Sequence, residues 1–224
     1  MFNAAFALMV LVPVVVAPTS GVAHTPAASA TRNASSVEMT APLDTVVFAG
    51  GCFWGVQGVF QHVKGVVSAT SGYAGGTVAH PSYEQVSTGR TGNAESVRVV
   101  FDPDQVSYAT LLKVFFDVTH DPTQLNRQGP DVGTQYRSAV FYTSDAQRAA
   151  TVQYIAWLQQ SGTVKGKIVT EVARLRGFST AESYHQDYAT LHPDAPYIRY
   201  NDLPKIEALK AQYPQLWNDR IAAH

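Results

Sequence analysis

Cys52 is the one cysteine in 224 residues, and it sits in the run Gly50-Gly51-Cys52-Phe53-Trp54-Gly55. A β-branched and apolar stretch, residues 45–49, precedes the two glycines, and apolar residues at 56, 59, 60 and 63 follow at helical spacing. The sulfur is therefore expected where a strand hands over to a helix. Free N–H groups and the positive end of a helix dipole at such a junction stabilise a thiolate, so a lowered thiol pKa is expected. The neighbouring glycines let a substrate come close to the sulfur. Phe53 and Trp54 would form an apolar wall suited to a methyl or thioether group. A lone cysteine is more often a buried core residue. Here the glycines, the junction and the paired aromatics favour a nucleophile.

The elements that would position this sulfur can be read from residue periodicity. Strand patterns cover residues 45–49, 66–73, 96–101 and 138–142, and helical patterns cover 54–63 and 108–118. Their order is β-α-β-β-α-β, the split βαβ or ferredoxin-like arrangement. A helix over 145–160 and a strand near 168–175 follow. The remainder is turn-rich, with Pro193, Pro196, Pro204 and Pro214 around a short helix near 203–212. The expected fold class is α+β: a two-layer sandwich with a long, irregular C-terminal segment.

Composition removes several functional classes. A hydrophobic content of 46% with 15% charged residues suits a chain that buries a full core. The net charge of -1, from 16 basic and 17 acidic residues without charged blocks, offers no footprint for nucleic acid. One cysteine and seven histidines without ligand spacing do not predict a metal site. Residues 6–16 form an apolar run too short for a transmembrane helix, followed by small-residue cleavage candidates at 21–23 and 28–30. Residues 1–23 therefore read as a signal peptide, with cleavage after 30 as an alternative, although no Lys or Arg precedes Phe6. Residues 24–43 read as a linker and 44–224 as the functional domain. The expectation is an exported, periplasmic monomer without stable membrane association after cleavage.

Several further runs extend the pattern around Cys52. They are Gly72-Tyr73-Ala74-Gly75-Gly76, Tyr83-Glu84-Gln85-Val86-Ser87-Thr88-Gly89 and Gly92-Asn93-Ala94-Glu95. Then come His120-Asp121-Pro122-Thr123-Gln124, Asp131-Val132-Gly133-Thr134-Gln135-Tyr136-Arg137-Ser138 and Ala181-Glu182-Ser183-Tyr184-His185-Gln186. With Gly51-Cys52-Phe53-Trp54-Gly55 they resemble, in order, the motifs of the peptide-methionine sulfoxide reductase A family. The stretch 197–205 is similar to the tail of some members. The resemblance covers about residues 44–217.

The resemblance implies reduction of methionine-S-sulfoxide, free or in oxidised proteins, without metal or organic cofactor. It implies that the Cys52 thiolate attacks the sulfoxide sulfur and ends as a sulfenic acid, the reversible rung of cysteine oxidation. Glu95 matches the family's acid, which must be neutral at working pH and so needs a raised pKa. Tyr83 and Tyr136 match the hydroxyls that bind the sulfoxide oxygen, Asp131 matches a site carboxylate, and Phe53 and Trp54 match the methyl pocket. This chain differs from many members in carrying Asn93 where they have His and Ser87 where they have Cys. It also has no resolving cysteine, so its reductant must be external: thioredoxin, glutaredoxin with glutathione, or a partner reductase.

Two other readings fit parts of the pattern. His185 and Asn201 follow Cys52 at about the 130–150-residue interval of papain-like cysteine proteases. That family's Cys-Gly-Ser-Cys-Trp signature is absent, and its fold does not begin with βαβ. A non-catalytic peptide-binding module would use the aromatic pocket but gives no reason for a cysteine at a helix N-terminus.

Overall fold

The computed structural model describes residues 42–224, so the expected signal peptide and most of the expected linker lie outside the described residues. Strand β1 (Asp44–Gly50) leads into α1 (Phe53–Gln61), then β2 (Val66–Ala74), α2 (Tyr83–Ser87) and β3 (Ala94–Phe101). Helix α3 (Tyr108–Val114) continues as a π turn, Phe115–Thr119, and two short strands follow, β4 (Arg127–Gln128) and β5 (Asp131–Val132). After β6 (Ser138–Tyr142) come α4 (Asp145–Ser161), β7 (Glu171–Arg174), β8 (Phe178–Thr180), α5 (Tyr188–Leu191) and α6 (Leu203–Gln212).

The main sheet runs β7-β6-β1-β3-β2-β8. Its four inner strands pair antiparallel, β1 with β3 and β6, and β2 with β3. This is the split βαβ order that the sequence periodicity predicts. β7 adds parallel to β6, and β8 adds antiparallel to β2. As one of the two central strands, β1 is buried on both faces: Val46 and Phe48 point into the main core, Val47 and Ala49 into a smaller cluster behind the sheet. Its short apolar run without polar alternation follows from that position.

Helix α1 is a poor helix in isolation. It has nine residues and two glycines, each costing about 1 kcal/mol relative to alanine. Tertiary burial holds it, because every residue of α1 except Trp54 is buried. Phe60 stacks on Phe48, whose other neighbour is Phe115, at ring separations of 5.0 and 4.6 Å. The glycines serve close approach: a Cβ at Gly58 would lie 2.7 Å from Ile206 of α6, and one at Gly55 would collide with Asp202.

The C-terminal segment wraps α1 and is fastened by buried amides. Gln57 Nε2 donates to the Ala69 carbonyl (2.9 Å) and to Gln186 Oε1 (3.0 Å), while Gln57 Oε1 accepts from the Asp187 N–H (3.0 Å). Gln186 Nε2 donates to the carbonyls of Ser71 (3.0 Å) and Ala181 (3.1 Å). Buried amides of this kind contribute only when every group is paired, and here the pairs fix where the C-terminal side chains meet α1.

Several expected boundaries shift. The helix expected over 108–118 is α-helical only to Val114; at the π turn Thr119 Oγ1 donates back to the Phe115 carbonyl at 2.6 Å. The strand expected near 168–175 spans only Glu171–Arg174. Helix α2, the β4–β5 pair and β8 have no counterpart in the sequence reading, being too short or polar for a periodic signal. No helix among the described residues is long and apolar enough to cross a membrane.

Candidate active site

Cys52 sits at the N-cap of α1, directly after β1, as the apolar run and glycines predict. The turn depends on Gly51, which has φ +91° and whose Cβ, if present, would lie 2.6 Å from Gln128. Gln128 in turn folds residues 121–128 over this turn, with Oε1 accepting from the Asp121 N–H (3.1 Å) and Nε2 donating to the Asp121 carbonyl (3.0 Å). A side chain at Gly51 would adopt a disfavoured backbone conformation and displace this cover.

Glu95 is 2% exposed and stands at the start of β3. Its side chain shares a sheet face with Val97, Val99 and Phe101 of the main core, because strand residues two apart point the same way. Oε2 accepts a hydrogen bond from the backbone N–H of Phe53 at 3.1 Å, which ties the acid to the residue after the cysteine. Burial raises the Glu95 pKa to about 8, helped by Asp131 and Asp202 and opposed by the Phe53 N–H. Glu95 is therefore mostly a neutral acid at pH 7, through the desolvation that the sequence reading requires.

The thiol behaves differently from expectation. Burial, then the charges of Glu95 and Asp202, push the Cys52 pKa well above the usual thiol range, against the Trp54 N–H and Lys205. The expected lowering by the helix terminus is real in sign, since the Trp54 N–H favours the thiolate. It is outweighed because Cys52 is only 7% exposed and faces two carboxyl groups. A helix N-terminus lowers a thiol pKa only where desolvation and negative charge do not exceed it.

The remaining expected site residues converge here. Tyr83 is the first residue of α2, whose start is set by a capping box between Ser82 and Gln85. The Tyr83 N–H also donates to Glu182 Oε1 (2.9 Å), whose Oε2 accepts from the Tyr73 hydroxyl (2.8 Å). Tyr136 ends the 3₁₀ turn Thr134–Tyr136. Burial raises the pKa of both tyrosines, with Glu95 next in effect on each and Cys52 contributing to both. Their hydroxyls therefore stay protonated donors beside the sulfur and the acid. Asp131, on β5, acts on Glu95 and accepts a short hydrogen bond from the Tyr197 hydroxyl.

Phe53 and Trp54 form the apolar wall. The Trp54 ring stacks on Tyr188 at 3.9 Å and meets Tyr197 edge-on at 5.9 Å, and its indole N–H donates to His185 Nδ1 at 3.2 Å. That bond assigns the His185 proton to Nε2. The His185 ring lies 5.0 Å from Phe53 and 4.4 Å from Tyr83. Burial lowers its pKa, opposed by Glu182, so it is a neutral ring within the wall.

The sequence reading missed the contributions of Glu182, Tyr188, Tyr197, Asp202 and Lys205, which come from the C-terminal wrap. It also began the third strand at Ser96, one residue after Glu95, whereas β3 begins at Ala94. Extending the period-two pattern places a carboxyl group on the core face, the local signal that could have singled it out. Asn93, which replaces an expected imidazole, instead holds the 75–80 loop through Gly76 N (3.2 Å) and the Val78 carbonyl (3.1 Å). Ser87 donates to the Tyr83 carbonyl at 2.7 Å.

A groove of about 520 Å³ opens between the 75–80 loop and the β7–β8 connection, lined by Phe141 and Phe178. Neither Cys52 nor Glu95 lines it, and the chemistry lies with them. Among the described residues no group of three His, Cys, Asp or Glu side chains could hold a metal ion.

Comparison with known proteins agrees with this geometry. The sequence profile of the peptide methionine sulfoxide reductase family matches residues 44–217. A peptide methionine sulfoxide reductase MsrA 2 of Mesorhizobium japonicum is 54% identical over 177 residues, covering 79% of this chain and 91% of its own length. One from Synechocystis is 49% identical over 170 residues, covering 76% and 79%. Among solved structures, methionine sulfoxide reductase A of Corynebacterium diphtheriae superposes with a TM-score of 0.61 at 36% identity, covering 69% of this chain and 78% of that one. Reduced Mxr1 from Saccharomyces cerevisiae does so with 0.62 at 33% identity, covering 68% and 87%. The chain belongs to the peptide methionine sulfoxide reductase family.

Proposed function

We propose that Cys52 is the nucleophile and Glu95 the acid in the reduction of methionine-S-sulfoxide, free or in oxidised proteins, to methionine. As a family member the chain is a methionine sulfoxide reductase, and the protease alternative has no support. The observation that carries the residue roles is the hydrogen bond between Glu95 and the Phe53 N–H, which holds a neutral acid beside the sulfur. The substrate methyl packs on Phe53 and Trp54, and the sulfoxide oxygen faces Glu95 and the hydroxyls of Tyr83 and Tyr136. Cys52 sulfur attacks the sulfoxide sulfur while Glu95 protonates the oxygen. The net step converts Cys-SH and R-S(O)-CH3 into Cys-SOH and R-S-CH3. Oxygen passes to the cysteine, which is oxidised as the sulfoxide is reduced.

With one cysteine, regeneration uses an external thiol. A first thiol displaces water from the sulfenic acid to give a mixed disulfide, and a second releases Cys52. Glutathione with glutaredoxin, a thioredoxin or a partner reductase has the chemistry for this role. The test is consumption of each sulfoxide epimer with dithiothreitol. The S epimer should be reduced by wild type and not by Cys52→Ser, and equal loss of both epimers would sink the reading.

The composition of residues 1–23 supports export to the periplasm and action on proteins oxidised there. Cell fractionation tests this: full-length chain with residues 1–23 intact in the cytosol would overturn it.

A further inference from the structure

Asp202 is a charged residue with no structural task of the usual kind. It is 0% exposed and lies where a π turn, Ile198–Asp202, runs directly into α6, so its side chain has no helix terminus to cap. Oδ1 pairs with Lys205 Nζ at 3.1 Å, and buried Oδ2 has no hydrogen-bond partner. The carboxylate is pressed against the first turn of the helix that Cys52 caps, where Gly55 leaves room for it and any larger residue would collide with Oδ1. An orphaned carboxylate oxygen is costly inside a protein, and an asparagine or a hydrophobic residue would fill the same space more cheaply.

We propose that Asp202, held by Lys205 against the start of α1, is a positioning residue that keeps Cys52 as a thiol in the resting enzyme. The proposal rests on Cys52 being the nucleophile. A buried anion beside a thiol disfavours the thiolate, and the effect is large where water is excluded. The charged and titratable groups facing the pair are Cys52 and Glu95 at the sulfur, Asp131 on β5, Tyr197, and His120 toward Lys205. Burial raises the pKa of Asp202 itself, and Lys205 opposes this by charge and hydrogen bond. Asp202 raises both Cys52 and Glu95, while Lys205 opposes it at Cys52. Asp202 thus adds to the burial that keeps the nucleophile a thiol and the acid protonated. A chain without a second cysteine gains from this, because a resting thiolate would be open to oxidants and to unproductive disulfides.

The test is alkylation of the resting, full-length enzyme by iodoacetamide across pH, without sulfoxide, so that its outcome is independent of reductase activity. Asp202→Asn should move the alkylation midpoint down by about one pH unit, raising the rate at pH 7 about tenfold. Asp202→Ser removes the same charge with a smaller side chain, so its midpoint should also move down. A merely structural role would loosen the site and raise the rate at every pH in both variants without moving the midpoint. A midpoint that stays or rises in either variant overturns the proposal. If near-ultraviolet circular dichroism shows Asp202→Asn unfolded, the direction of the Asp202→Ser shift decides alone. Sulfoxide reduction that survives Cys52→Ser would instead remove the nucleophile assignment itself.

Discussion

Glu95 Oε2 accepts the backbone N–H of Phe53 at 3.1 Å, so the acid on β3 and the cysteine at the start of α1 are joined through one peptide group. The bond spends one of the unpaired N–H groups of the helix terminus on Glu95 and leaves the Trp54 N–H for the sulfur. Burial of Glu95 still dominates, which is why the carboxyl group keeps its proton although it accepts this bond.

The first prediction concerns rate. Glu95→Gln keeps the size of the side chain but has no proton to give. Single-turnover reduction should slow by a factor on the order of 10²–10⁴. In wild type the rate should fall as pH passes about 8 and Glu95 ionises, and this limb should be missing from the variant. A near-normal single-turnover rate for Glu95→Gln would remove the assignment.

Stability gives an independent check on the same group. The folded pKa of about 8 lies above the ordinary value of 4.5, so between these pH values the folded state binds a proton that the unfolded state does not. Stability from Glu95 is therefore complete below about pH 4.5 and declines as pH rises toward about 8. Glu95→Gln should melt higher than wild type at pH 8, with the difference shrinking toward pH 4.5. Parallel melting curves across this range would contradict the raised pKa.

The turn before the sulfur should tolerate no side chain. Gly51→Ala places a residue at φ +91° and drives its Cβ to 2.6 Å from Gln128. Strain of this kind costs about 1–3 kcal/mol, and the displaced Gln128 would loosen the 121–128 cover. Denaturant unfolding measures the first effect, and kcat/KM should fall more than the stability loss alone explains.

The cysteine count sets a stoichiometry. Without added thiol, methionine sulfoxide should yield one methionine per chain and then stop, with Cys52 captured by a sulfenic-acid probe. Two methionines per chain, measured by amino-acid analysis after a long incubation, would require a second reducing group.

The place of Cys52 could be read from the sequence because it is built from local signals, whereas Glu95, Tyr83, Tyr136 and Asp131 were marked only by the resemblance to the family. The apolar run of β1, the two glycines and the helical spacing after Trp54 place Cys52 at its junction, and short-range sterics enforce that placement. The β-α-β-β-α-β order follows from periodicity for the same reason, since each pattern lies within one element. Tertiary structure decided what acts through space. The proton affinity of Cys52 depends on burial and on Glu95, Asp202 and Lys205, brought from distant parts of the chain to a largely buried place. Tyr83 and Asp131 stand on elements too short to leave a period in the sequence. The sign of the thiol shift was decided there as well. Dipole and N–H groups are local and legible, whereas desolvation and opposing charge exist only once the C-terminal wrap has closed over α1.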